Sequence, residues 1–283
     1  MEHRTNRCLN ILRSCPRYLF LSAASGMMLF PFYWMLITAL KTPAEMSVYP
    51  PAFFPEGLYL GNFAMVLKSP TLGIYFFNSI LVALVQTVLV VIITTLTAYG
   101  FYRYRFRAKK PLFYGLLLLN VLPFEVVMIF NYRLMIQLGL NNTLIALIIP
   151  FCCKFFYVLI LYNAFQSIPK SIYIAACLDR ASDIKFLFRI ALPIVRPTIV
   201  YICIMNIVSS WNAFIWPLMI TNSVESRTLP FGIYTYMTEI GSNNTLIMAM
   251  SVLSQLPMIL MLVVLRKYFV NGYRSTRTAE MGW

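Results

Sequence analysis

Charge is scarce in this chain. Asp, Glu, Lys and Arg supply 11% of its 283 residues, against about 25% in soluble domains. Acids are scarcer still, with nine Asp and Glu against 23 Lys and Arg. So few polar side chains do not coat a water-facing surface, which excludes an ordinary soluble domain. Histidine occurs once, at His3. No His-Glu-x-x-His run and no acidic pair lies in an apolar segment, which argues against an intramembrane enzyme that works by metal or acid–base chemistry. No Gly-x-x-x-x-Gly-Lys-Ser/Thr loop occurs, so the chain supplies no phosphate loop for ATP. No internal repeat is visible, and the apolar runs hold few ionisable residues, which speaks against an ion-coupled secondary transporter.

What the chain has is apolar length. Hydrophobic residues make up 60% of it and the mean hydropathy is +0.75. A helix needs about 20 mostly apolar residues to cross the hydrocarbon core. Six segments qualify: Arg17 to Lys41, Ser69 to Tyr102, Pro111 to Met135, Thr143 to Phe165, Pro197 to Val224, and Ile240 to Leu265. The third contains Glu125 and Arg133, and the fourth contains Lys154. The expected fold is an all-α polytopic membrane protein with six transmembrane helices.

The placement of the basic residues then sets the orientation. With the N-terminus inside, the cytoplasmic segments hold 18 of the 23 Lys and Arg, and the outside loops hold only Lys41, Lys68 and Arg227. Basic residues stay on the cytoplasmic side during insertion, so both termini are expected inside. The same asymmetry accounts for the net charge of +14 without any nucleic acid. The first apolar run is too long for a signal-peptide core. None of the six cysteines falls in an outside loop, so they read as small packed hydrophobes.

Two residues inside the spans need an explanation, because a charge near mid-span is costly. Glu125 and Lys154 lie 16 and 13 residues from Asn141, in spans joined by a short loop. They fall at similar depth, either as a pair or each facing water or another subunit. The outside stretch from Lys41 to Pro70, with five prolines, reads as irregular structure.

The inside stretch from Gln166 to Pro197 is patterned. Ile168, Ile172, Ala175 and Ala176, then Ile184, Leu187, Phe188 and Ala191, repeat at spacings of three and four, which predicts two short amphipathic helices. Pro169 suits a first turn, and Pro193 and Pro197 suit the start of the next span. A helix with two adjacent alanines allows another protein close to its backbone, while its basic residues also suit lipid headgroups. On physics alone these readings stand side by side.

Residues 174–197 also resemble the EAA signature of ABC importer permeases, Glu-Ala-Ala-x-x-Asp-Gly-Ala followed by Ile-x-Leu-Pro-x-x-x-Pro. Ala175, Ala176, Asp179, Ala181, Ile190, Leu192, Pro193 and Pro197 sit at the family spacing. Ile174 stands where the family has Glu, and Arg180 where it has Gly. Asn78-Ser79, Ala98-Tyr99 with Arg103, Leu138-Gly139-Leu140, Trp211-Asn212 with Pro217, and Tyr268-Phe269-Val270 with Gly272 resemble the maltose-permease-like branch for carbohydrate uptake.

The resemblance implies a type I ABC importer permease in a bacterial cytoplasmic membrane. It implies pairing with a second permease, docking of a cytoplasmic ATPase dimer that binds ATP and Mg, and delivery of a sugar-like substrate by an external solute-binding protein. The chain itself is then non-catalytic. Residues 1–17 form a cytoplasmic tail, 18–40 the first transmembrane helix, 41–73 an external loop, 74–268 the permease core with its coupling loop at 166–197, and 269–283 a cytoplasmic tail. Ala175, Ala176, Asp179, Arg180, Ala181, Leu192 and Pro193 carry ATPase coupling in this reading. Glu125, Lys154, Trp211 and Asn212 are its pathway or interface candidates. Asp179 is expected to cap the turn after the first short helix. Arg180 is expected either to avoid the left-handed conformation that suits Gly or to bear its strain.

Overall fold

A computed structural model describes the backbone of residues 2–240 and 243–280, and the side chains of 16–238 and 243–264. The expectations on His3, Cys8, Cys15 and residues from 265 onward therefore fall outside the described side chains. Every regular element among the described residues is helical. In chain order the helices are α1 (Glu2–Ala39), α2 (Gly61–Leu67), α3 (Pro70–Arg103), α4 (Lys109–Leu119), α5 (Phe124–Gln137), α6 (Leu144–Ile148) and α7 (Phe155–Gln166). They continue with α8 (Lys170–Leu178), α9 (Asp183–Phe186), α10 (Leu192–Ile194), α11 (Arg196–Trp211), α12 (Ile215–Ile220), α13 (Leu229–Ile240) and α14 (Asn244–Glu280).

Three segments, Pro16–Ala39, Pro70–Arg103 and Asn244–Val264, are single helices long and apolar enough to cross a bilayer. Three more are helix pairs bent by 96° (α4 with α5), 48° (Leu144–Phe151 with α7) and 76° (Asp183–Ile194 with α11). Counting each bent pair as one span gives six.

The third, fourth and fifth spans are therefore not the continuous helices expected. Pro123, extended at φ −60° and ψ 141°, precedes α5, because a proline cannot extend the preceding helix. Lys154, extended at φ −116° and ψ 103°, separates the halves of the fourth span. The fifth apolar run stops being helical at Trp211 and resumes at Ile215.

The chain forms two compact units, residues 1–69 with 235–256, and 70–234 with 257–283. In the first, the stretch after α1 is irregular as far as Leu60 apart from one turn at Glu45–Ser47, as its prolines suggest, but it then forms α2 over Gly61–Leu67, a proline-free segment expected to be irregular. Buried Asn62 organises it. Its Nδ2 donates to the carbonyls of Ala39 at 2.9 Å and Lys41 at 2.8 Å, and its Oδ1 accepts from Thr245 Oγ1 at 3.2 Å. Lys41, 1% exposed, donates to the carbonyl of Ala52 and lies 5.0 Å from the Trp34 ring centroid.

The second unit is built around α3, which packs against α7 and α11. Between lipid-embedded helices the hydrophobic effect gives little drive, so close packing and hydrogen bonds hold them. α3 meets that need with a stripe of small or β-branched residues at intervals of three or four. Ala83, Thr87, Val90, Thr94 and Ala98 are all buried. Around its second half lie Phe155, Val158, Leu161, Phe165 and Ile202. Asn206 of α11, fully buried, donates to Thr87 Oγ1 at 2.9 Å. A second cluster gathers Val82, Met135, Ala146, Leu147, Trp216 and Ile220, and Trp216 Nε1 donates to the Ala146 carbonyl at 2.9 Å.

Candidate functional site

The patterned loop between α7 and α11 forms α8, a tight turn, α9, a π-helical turn at Leu187–Ala191, and α10. α8 closes in a Schellman turn. The Arg180 amide donates to the Cys177 carbonyl and the Ala181 amide to the Ala176 carbonyl, both at 3.0 Å. Such a turn places one residue in the left-handed region, usually Gly. Here it is Arg180, at φ 50°, so of the two alternatives the residue bears the strain. The same turn ends α5, where the Gly139 and Leu140 amides reach the Ile136 and Met135 carbonyls at 2.9 Å and Gly139 has φ 67°.

The cap that starts α9 is not Asp179. Asp179 is exposed at the end of α8, whereas Ser182 Oγ accepts from the Lys185 amide at 3.3 Å. The alanine pair divides as well. Ala175 is exposed, but Ala176 is 5% exposed and packs into the core with Tyr99, Phe165 and Phe186. Neighbouring residues on a helix point about 100° apart, so both cannot face one groove. Ala181 and Leu192 rest against that same core, and Pro193 is exposed in the first turn of α10. Ile184 and Phe188 are exposed. With Ile174 and Leu178 they are the most exposed of the large apolar residues that this loop presents outward.

What holds the loop to the spans came from residues that sequence spacing did not pair. Arg103, the last residue of α3, donates from Nε to Asp183 Oδ1 at 2.6 Å, with each side chain about a third exposed. Its guanidinium lies 4.7 Å from the Tyr173 ring centroid, and Tyr173 packs edge-on against Phe186 at 5.2 Å. A side-chain hydrogen bond with Cys177 raises the Tyr173 phenol above its ordinary value of 10.0. Tyr99 Oη donates to the Asp183 carbonyl at 3.1 Å.

Within the spans, Glu125 and Lys154 do not pair. Among the described residues the one ion pair within 4 Å is Arg103–Asp183. Glu125 is exposed in the first turn of α5. Lys154 donates to Asn206 Oδ1 at 2.9 Å and Ser209 Oγ at 3.3 Å, so a chain of polar groups joins Lys154, Asn206 and Thr87 across three spans. Ser209 and Asn212 line a cavity of about 420 Å³ with Gln86, Phe124, Phe151 and Trp216. The three rings pack on one another at 4.9–6.2 Å. Trp211 is buried against Phe76 instead.

Comparison with known proteins points one way. Residues 91–275 match the family described as binding-protein-dependent transport system inner membrane component. The sulfoquinovosyl glycerol transport system permease protein SmoH of Agrobacterium fabrum is 30% identical over 246 residues, covering 86% of both chains. The arabinooligosaccharides transport system permease protein AraQ of Halalkalibacterium halodurans is 30% identical over 223 residues, covering 78% of this chain and 79% of its own. A crystal structure of a bacterial ABC transporter that imports the acidic polysaccharide alginate contains a chain of the same fold. Its TM-score is 0.81 at 21% identity, over 94% of this chain and 98% of that one.

Proposed function

Because the chain belongs to the inner membrane components of binding-protein-dependent transport systems, and so is a multi-pass permease subunit of an ABC importer, we propose that it carries a sugar or related solute across the bacterial cytoplasmic membrane. In this reading it pairs with a second permease, an external solute-binding protein delivers the substrate, and a cytoplasmic ATPase dimer binds ATP and Mg. The chain is non-catalytic, has both termini inside, and uses residues 74–268 as its permease core. The names of SmoH and AraQ support a saccharide substrate. So does the cavity bounded by Phe124, Phe151 and Trp216, since the CH faces of a sugar pack on aromatic rings.

One observation carries the coupling role: the loop that exposes Ile174, Leu178, Ile184 and Phe188 is also pinned to α3 by Arg103–Asp183. An ATPase that grips the outward residues pulls through two attachments. One is the ion pair, and the other is the packing of Phe186, Leu187 and Ala191 in the core. Transmission of a rigid-body movement in this way drives alternating access.

The test is Leu178→Asp or Ala175→Asp, which places a charge in a contact that excludes water. An unpaired charge there costs several kcal/mol. The variants should insert normally and lose ATP-driven uptake, while Lys185→Asp should be milder. Uptake at the wild-type rate in both Asp variants would show that this loop does not couple. Ala176→Asp is not a clean test, since Ala176 faces the chain's own core. Ile174→Glu restores the family acid, and raises uptake only if its loss limits coupling.

A further inference from the structure

A second cavity, of about 540 Å³, lies where α3 and α7 end, and four cations line it: Arg103, Arg105, Lys109 and Lys170. The positive-inside rule explains why such residues lie on one side of a membrane. It does not explain why four of them surround one hollow. Among the described residues Asp183 pairs with Arg103, no acid pairs with the other three, and Lys109 Nζ donates to the Tyr104 carbonyl at 3.4 Å.

Three further features suit an anion. Lys170 is the first residue of α8, so the amides and positive dipole end of that nine-residue helix lie at the rim. Gln166 adds an amide. Tyr102 and Tyr162 line the wall near the ends of two spans, the depth at which amphipathic rings meet lipid headgroups.

We propose that this cavity binds a phosphate group, and specifically the phosphodiester headgroup of an anionic phospholipid. Arg105 and Lys109 hold it from the α3–α4 corner and Lys170 from the start of α8. The ligand thus bridges the end of a span to the loop that carries Ile174 and Ile184, reinforcing the link made by Arg103 and Asp183. The cavity's position at the span ends requires only that α3 and α7 cross the membrane. The consequence for coupling rests on the importer reading above.

The assembled transporter, purified in detergent, is titrated with phosphatidylglycerol and lipid retention is read by native mass spectrometry. Each basic residue near an anionic headgroup contributes about 1 kcal/mol, so Arg105→Gln with Lys170→Gln should weaken retention by roughly 30-fold. Arg189→Gln, a basic residue of the same loop outside the cavity, should leave it unchanged. Competition separates the sources. Millimolar inorganic phosphate should fail to displace the lipid, and phosphatidylcholine should not be retained. Displacement by free phosphate would overturn the lipid assignment. Equal retention by wild type and double variant, or an equal loss with Arg189→Gln, would overturn the site itself. Retention is measured without transport, so failure of the importer reading leaves this result standing, and the reverse holds too.

Discussion

Arg103 and Asp183, 80 residues apart in sequence, meet at 2.6 Å between Nε and Oδ1, and their contact joins the longest single span among the described residues of the second unit to the first turn of α9. Exposure of about a third at each side chain limits the pair to about 1 kcal/mol of stability. The coupling role proposed for the loop predicts a larger effect on transport than on stability. Asp183→Asn should therefore cost little thermal stability yet lower uptake several-fold, and Arg103→Asp with Asp183→Arg should recover part of it. Uptake that tracks stability in both variants would reduce the pair to an ordinary surface contact.

The two Schellman turns give a paired test of backbone strain. Arg180 and Gly139 hold the same place in the same motif, at φ 50° and 67°. A residue with a Cβ bears about 1–2 kcal/mol there. Arg180→Gly should raise the unfolding midpoint of the detergent-solubilised protein, and Gly139→Ala should lower it. No atom lies within 4 Å of a Cβ built on Gly139, so any loss at that site is conformational rather than steric.

Acid should loosen the loop after α1. The amides of Thr42 and Glu56 donate to the Glu45 carboxylate at 3.0 and 3.1 Å. These bonds, then the Thr42 hydroxyl and the nearby Lys41 charge, hold its pKa below the ordinary 4.5. A depressed carboxylate stabilises the fold above its unfolded pKa, and that contribution is lost as pH falls through the lower folded value. Protection of the Thr42 and Glu56 amides, corrected for the intrinsic exchange rate, should therefore fall as the Glu45 carboxylate is protonated at acid pH, and Glu45→Gln should remove the pH dependence. Equal protection at pH 7 and pH 3 would exclude the clip.

Orientation is tested by labelling. In a background with the native cysteines replaced, a cysteine at exposed Ser47 should react with an impermeant reagent added to intact cells, and one at exposed Ala108 should not. The reverse pattern would invert the chain in the membrane.

Much of this was readable from local spacing. The apolar runs located the spans, and residues 168–176 announced α8, because helical periodicity is a property of near neighbours. Apolarity does not report continuity, so the breaks at Pro123, Lys154 and Asn212 had to be seen. Pro123 and Lys154 were the local signals available. A one-residue step around α8 separates Ala175 from Ala176, finer than a pattern with two adjacent alanines resolves. Asp183 and Asn206 were missed for another reason. Their partners, Arg103 and Lys154, are 80 and 52 residues away, and nothing local marks a contact that only packed helices create.

The break at Lys154 also bears on how the chain is made. Its acceptor Asn206 is synthesised 52 residues later, which at about 5–20 residues per second is a delay of roughly 3–10 s. Through that interval the α11 amide that will receive the ammonium does not yet exist. A lysine at the centre of an isolated span opposes insertion by about 3 kcal/mol. The fifth span, through Asn206 and Ser209, thus offsets a cost that the fourth would bear alone.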